Sequence, residues 1–363
     1  MLLKLRGAFL YAGLIMEASS ITSPCVADRD IVYAARYYFP PGSKMRSYFH
    51  IYRINADGSG RTQVTSGRQD DIAPRWSPDG SKILFLRGAG ETMSSVCVVG
   101  ASGGQVRTLF STKNGGYAWG PAWSPDGRRV AFSISMSPDY NSYVWLLESK
   151  TFRSRKICRG WASAWSPDGK RLYIIENDER GKILDLRTGR IVVLKGRTGG
   201  GLWLNNRALV VYSADEPGDK PVLRILHPDG TLRRWILVAM SPDDYDYTGF
   251  GAFPDALYSV PGDSSNLIYG LCNYNSTNGR SEIFYRVNLK TGKVKRLTDG
   301  QYLAWSPDGD QFCTGSCRDL ADYGRRKFVW VSTLSVFSMG TGDKKPIVSG
   351  LVWVDGLDWR NTK

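Results

Sequence analysis

Trp76-Ser77-Pro78-Asp79-Gly80 returns verbatim as Trp123 to Gly127, Trp165 to Gly169 and Trp305 to Gly309. Each copy separates a short apolar approach, such as Ile72-Ala73-Pro74-Arg75 or Gly120-Pro121-Ala122, from a strand-like run such as Ile83-Leu84-Phe85-Leu86 or Val130-Ala131-Phe132. The five residues suit a hairpin. Proline presets the negative φ of the first corner, aspartate favours turns, and glycine accepts the positive φ that follows.

Weaker copies fill the gaps. Trp203-Leu204-Asn205-Asn206-Arg207 runs into Ala208 to Tyr212, Tyr258-Ser259-Val260-Pro261-Gly262 runs into Leu267-Ile268-Tyr269, and Asp355-Gly356-Leu357-Asp358-Trp359 ends the series. The anchors are spaced by 47, 42, 38, 55, 47 and 54 residues. A period of about 40 to 50 residues holding four strands is that of a propeller blade. The sequence therefore predicts an all-β chain, a β-propeller of four-stranded antiparallel blades, with seven starts in preference to six or eight. The first blade lacks its first strand and one is left over around Trp353 to Trp359, so N- and C-terminal strands are expected to pair and close the ring. The anchors Trp76, Trp123, Trp165, Trp203, Trp305 and Trp359, with the turn residues Asp79, Asp126, Asp168 and Asp308, read as structural.

The unit W-S-P-D-G-x-x-[IVL]-x-F, followed by a hairpin such as Asn55-Ala56-Asp57-Gly58-Ser59-Gly60 and a strand ending in Gln63-Val64-Thr65 or Arg296-Leu297-Thr298, resembles the propeller repeat of TolB-type periplasmic proteins. The resemblance covers most of the chain after about residue 30. It implies a propeller that docks protein partners in the cell envelope, such as an outer-membrane lipoprotein or a peptidoglycan-associated protein. No segment resembles the separate N-terminal α/β domain of TolB. In repeat style the chain is also similar to the propellers of prolyl oligopeptidase-type peptidases, and no hydrolase domain is recognisable after it.

Residues 1–27 read as an export signal, with Lys4 and Arg6 before the apolar stretch Gly7 to Met16 and Cys25-Val26-Ala27 before a cut at Asp28. Residues 28–363 then form a single propeller domain, periplasmic or secreted, not integral to a membrane and monomeric. The alternative of a lipid anchor on Cys25 sits poorly with Pro24 before it.

The chain carries a formal charge of +14. Its basic residues recur at the expected last strands, among them Arg107, Arg153, Arg155, Lys156, Arg233, Arg234, Lys293, Lys295 and Arg296, where charge blocks edge-to-edge pairing. No basic helix or aromatic nucleic-acid motif accompanies them, so nucleic acid is not expected as a partner. Six cysteines and two histidines offer little catalytic or metal chemistry. Cys313 and Cys317 lack zinc spacing, and Gly100-Ala101-Ser102-Gly103-Gly104 matches G-x-S-x-G only as a turn, far in blade order from His227. No catalytic residue, metal or cofactor is assigned, apart from calcium at one acidic loop.

That loop lies among the connections from second to third strand and from blade to blade, which are longer than the tight turns of the opposite face. Variable loops on a rigid scaffold are where binding resides. Ser241 to Phe250 carries Asp243, Asp244, Tyr245, Asp246 and Tyr247, a set able to bind calcium, a sugar or a basic peptide. Asp139, Tyr140, Asp70 and Asp71 join the same rim. The expected function is a non-catalytic protein-binding module. The alternative is an enzyme or ligand sensor acting on a glycan or lactone-like molecule at the channel mouth.

Overall fold

The computed structural model describes residues 30–37, 48–89, 92–112, 116–136, 141–213, 222–237, 254–273, 281–322, 328–349 and 352–360. Their regular elements are all strands, and every pairing between them is antiparallel. The leader expected over residues 1–27 lies outside the described residues.

The strands group into four-stranded ladders in chain order. Blade 2 begins with Asp70–Trp76 and ends with Gly103–Ser111. Blade 3 runs from Tyr117–Trp123 to Ser154–Arg159, blade 4 from Trp161–Trp165 to Ile191–Arg197, and blade 5 from Gly201–Asn205 to Leu232–Leu237. A seven-stranded sheet holds the last two ladders, because Val294–Trp305 pairs through its first half with Ser281–Asn288 and through its second half with Gln311–Asp322. Blade 1 is completed by the C-terminal strand. Val352–Trp359 pairs with Asp30–Tyr37, bringing Ile31 opposite Trp359 and Tyr37 opposite Val352.

Among the described residues, seven apolar clusters sit between successive blades and close the ring. Val32, Ile51 and Trp76 join blades 1 and 2; Leu84, Val98 and Phe132 join 2 and 3; Ala131, Val144 and Leu172 join 3 and 4. Tyr173, Trp203 and Val211 join 4 and 5; Tyr212, Leu223 and Tyr269 join 5 and 6; Ile268, Phe284 and Phe312 join 6 and 7. Tyr33, Leu334 and Trp359 join 7 to 1. Each anchor tryptophan lies in one of these clusters, where an aromatic side chain buries about 150 to 250 Å².

The verbatim repeat has a physical cause in every letter. In the first copy Gly80 N–H donates to Ser77 C=O at 2.8 Å, closing a turn with Pro78 at its first corner, and Gly80 takes φ 64°. The Ser77 hydroxyl donates to Asp79 Oδ1 at 2.6 Å and accepts Lys82 N–H at 2.9 Å, and Asp79 Oδ1 also accepts Ser81 N–H. The same bonds recur around Ser124, Ser166 and Ser306, all fully buried. Serine acts as the internal pin of the turn, a role its sequence reading did not include.

The outer edges differ from expectation in one respect. Arg107, Arg233 and Arg234 are exposed there, but so are the apolar side chains Ile191, Val193, Leu232, Trp235 and Leu237. Basic residues thus protect the last strands of blades 4 and 5 only in part.

Candidate functional site at the channel mouth

The first strands of successive blades approach one another around the axis, and each carries an irregularity, before the anchor residue in most blades and just after Trp203 in blade 5. Register shifts fall between Ile72 and Arg75, Trp119 and Ala122, Ala162 and Ala164, Trp203 and Asn205, Pro254 and Ala256, and Gln301 and Leu303. In blade 1 the shift falls between Val354 and Leu357. An extra residue in one strand bends it and re-aims its side chains. The residues at the positions before the anchors include Ala73, Gly120, Ser163, Tyr302 and Asp355, so the regular scaffold presents a chemically varied wall. Ala73 and Tyr302 have φ of 53° and 58°, a left-handed conformation costing on the order of 1 kcal/mol outside glycine.

Two of these residues meet. The Tyr302 hydroxyl donates to Asp355 Oδ1 at 3.3 Å. Burial pushes the Asp355 carboxyl above its ordinary range, and the Tyr302 bond and the Arg75 and Arg36 charges offset this in part. Tyr117, from blade 3, is 36% exposed, and its phenol is raised by burial and by the Asp355 charge. Beside Tyr117 in the same strand, Trp119 meets Trp161 of blade 4 with ring centroids 5.7 Å apart and planes at 46°. The Trp119 Nε1–H is held by Ser135 Oγ at 3.1 Å. These residues occupy the starts of the first strands, the end away from the Ser-Pro-Asp-Gly turns. Tyr302 and Tyr117 therefore both sense the Asp355 carboxylate, and the Trp119–Trp161 pair lies beside Tyr117 at the same end of the first strands.

Of the residues singled out in the sequence, Asp243, Asp244, Tyr245, Asp246, Tyr247, Asp139 and Tyr140 lie outside the described residues. Asp70 and Asp71 are described and are engaged otherwise than as free rim ligands. Asp70, 2% exposed, accepts Arg36 Nη2 at 3.0 Å and Phe49 N–H at 2.8 Å. Asp71, fully buried, takes the Arg87 guanidinium through two bonds of 2.7 and 2.9 Å. A buried carboxylate in a two-pronged arginine pair is committed to packing. Both acids lie where blade 1 meets blade 2, near His50, whose imidazole burial holds below its usual range.

The mouth residues Tyr117, Trp119, Trp161, Tyr302 and Asp355 were not singled out in the sequence. Their signal was the segment just before each anchor, where Gln301-Tyr302-Leu303-Ala304 stands in place of Ile72-Ala73-Pro74-Arg75. Ser102 lies in the hairpin between the third and fourth strands of blade 2, and His227 in the turn closed by Gly230 N–H. Among the described residues no group of three or more His, Cys, Asp or Glu side chains forms a metal cage. Cys97, Cys158 and Cys313 are free thiols.

Four-stranded antiparallel blades packed in a ring make this protein a β-propeller. Residues 30–184 match the TolB beta propeller domain family. TolB from Acinetobacter baumannii is similar in structure, with a TM-score of 0.54 at 17% identity over 92% of this chain and 66% of its own. Oligogalacturonate lyase in complex with manganese aligns at a TM-score of 0.55 and 14% identity, over 89% of this chain and 86% of the enzyme. At such identities the likeness is one of fold. Dipeptidyl-peptidase 5 of Porphyromonas gingivalis is 30% identical over 89 residues, 24% of this chain. The chain spans 13% of that peptidase in the match. No helix among the described residues is long and apolar enough to cross a membrane.

Proposed function

We propose that this chain is an exported TolB-like propeller, residues 28–363 after a leader of residues 1–27, that binds a protein partner in the cell envelope without catalysing a reaction. The observation that carries the reading is the mouth itself. Tyr117, Trp119 and Trp161 supply rigid aromatic surface, and Asp355 with Tyr302 supplies an oriented polar pair, all on strands rather than loops. Aromatic anchors around a shielded polar group are typical of interface centres. The acidic loop carrying Asp243, Asp244 and Asp246 extends the same face in this proposal, with Asp139 and Tyr140.

A second reading is favoured by the Trp119–Trp161 pair beside Tyr117, since indole faces also stack on sugar rings. It makes the mouth a glycan-binding or glycan-processing site, with calcium held by the acidic loop.

The test is a cross-linking pull-down from envelope extract with residues 28–363, run with calcium and with chelator. Stoichiometric retention of one protein, abolished by Trp119→Ala and by Asp355→Asn, supports the binding module. Retention of glycan alone, in a calcium-dependent manner, overturns it in favour of the second reading.

A further inference from the structure

The face opposite the mouth holds a cleft between blades 2 and 3 that the repeat closes between blades 3 and 4 and between blades 4 and 5. The second residue after each Ser-Pro-Asp-Gly is Lys82, Arg129, Arg171 or Gln311. Between blades 3 and 4, Arg129 lies over the Trp165 ring at 5.5 Å and donates to Gly169 C=O at 2.9 Å. Arg171 treats Trp203 and Asn206 C=O of blade 5 in the same way, at 6.0 and 3.3 Å. Lys82 reaches neither counterpart. The carbonyl of Gly127 is taken by Ser149 Oγ at 2.9 Å, and a cavity of about 340 Å³ remains beside Lys82, Trp123, Asp79 and Asp126.

A second cavity of about 300 Å³ adjoins it, sharing Lys82, Trp123 and Ser149. Its walls are Val98, Leu109, Phe152 and Trp123, and its polar groups are Lys82, Arg107, Gln105 and serine hydroxyls, with no carboxylate. The Arg107 guanidinium stands 3.8 Å over the Phe152 ring, which is held there by a backbone at φ 57°. Among the described residues neither Lys82 nor Arg107 forms a direct ion pair, and the Lys82 charge acts on Asp79 in the adjoining cavity without contact.

We propose that this outer cavity binds a carboxylate carried on an apolar body. The carboxylate bridges the Lys82 ammonium and the Arg107 guanidinium, while the body lies against Val98, Leu109 and Phe152. Asp79 and Asp126 confine the anion to the outer cavity, because hydrogen bonds from Ser77 and, against burial, from Ser124 and Arg128 keep both carboxyls ionised. The chemistry is that of a small aryl or alkyl carboxylic acid or of a peptide C-terminus ending in an apolar residue.

The experiment follows indole N–H resonances of the propeller, that of Trp123 assigned through Trp123→Phe, during titration with four probes. These are 3-phenylpropanoate and its amide, and a tetrapeptide ending in phenylalanine with a free or an amidated C-terminus. Both free carboxylates are expected to shift the Trp123 signal and both amides to leave it in place; a response confined to one carboxylate names the source. Arg107→Gln is expected to weaken binding about tenfold. Lys82→Arg is expected to abolish it by folding onto Trp123 as Arg129 folds onto Trp165, with an unchanged or raised melting temperature proving that the variant folds. Equal shifts from acid and amide, no shift at about 10 mM probe, well above ordinary ligand affinities, or full binding by folded Lys82→Arg would overturn the proposal.

Discussion

Asp358 Oδ2 accepts the backbone N–H of Trp76 at 2.7 Å, joining residues 282 positions apart. Arg75 completes the joint by donating to Leu357 C=O at 3.0 Å, and Arg360 N–H donates to Asp30 C=O at 2.9 Å. The last strand is thus bonded to the first strand of the chain and also to the next blade. Asp358→Ala strands the Trp76 N–H and is expected to cost about 1 to 3 kcal/mol. Asp358→Asn keeps an acceptor and is expected to cost less. Denaturant unfolding of the two variants checks the order, and equal losses would mean that the bond is not what matters.

The same carboxyl gives stability a pH dependence. Burial pushes it from 3.8 up to about 6, partly offset by Arg75 and by the N–H groups of Trp76 and Trp359. Between those values the folded protein holds a proton that the unfolded chain has released. The contribution is therefore full below about pH 4 and lost as pH rises through about 6. Melting temperatures taken from about pH 4 to about pH 7 should fall less steeply in Asp358→Asn than in the parent protein.

Ser166 is fully buried in its turn, donating to Asp168 at 2.6 Å and accepting Arg171 N–H at 2.9 Å. Ser166→Ala leaves the Arg171 N–H unsatisfied and Asp168 with only the Lys170 N–H, an expected loss of about 1 to 3 kcal/mol. A thermal melt indistinguishable from the parent would show the hydroxyl to be incidental.

Arg129→Lys should open, between blades 3 and 4, the kind of cleft that exists between blades 2 and 3. Loss of the stacked guanidinium and of its bond to Gly169 is expected to cost on the order of 0.5 to 2 kcal/mol. Equilibrium unfolding measures the cost, and a rise in stability would contradict the role assigned to the arginine.

At the mouth, Asp355→Asn removes a carboxylate that burial disfavours, so stability should hold or rise slightly while partner retention falls. A melt combined with the pull-down separates the two effects. Intact retention would place the contact elsewhere on the face.

The scaffold was legible because its determinants are local and repeated. Ser77 to Gly80 encode a turn whose bonds close within six positions, and four copies of the motif expose the period. The pairing of Asp30–Tyr37 with Val352–Trp359 could be inferred from one strand missing and one left over. The mouth was not legible in the same way. Tyr302 reaches Asp355 only because a bulge turns it out of its strand, and Tyr117 feels that carboxylate from two blades away. Neither relation leaves a spacing in the sequence. Asp70 and Asp71 show the same limit, since two adjacent acids before a strand carry no sign in sequence of the Arg36 and Arg87 set against them.

The joining of the two ends also sets the order of assembly during synthesis. Asp30–Tyr37 is the first described strand to leave the ribosome, yet its neighbour toward the axis, Val352–Trp359, is among the last. Until that segment arrives, one side of Asp30–Tyr37 presents unpaired backbone groups and blade 2 lacks the acceptor that Asp358 brings to Trp76. The newborn chain can stack its middle blades as they appear, but the circle locks only once Val352–Trp359 has emerged.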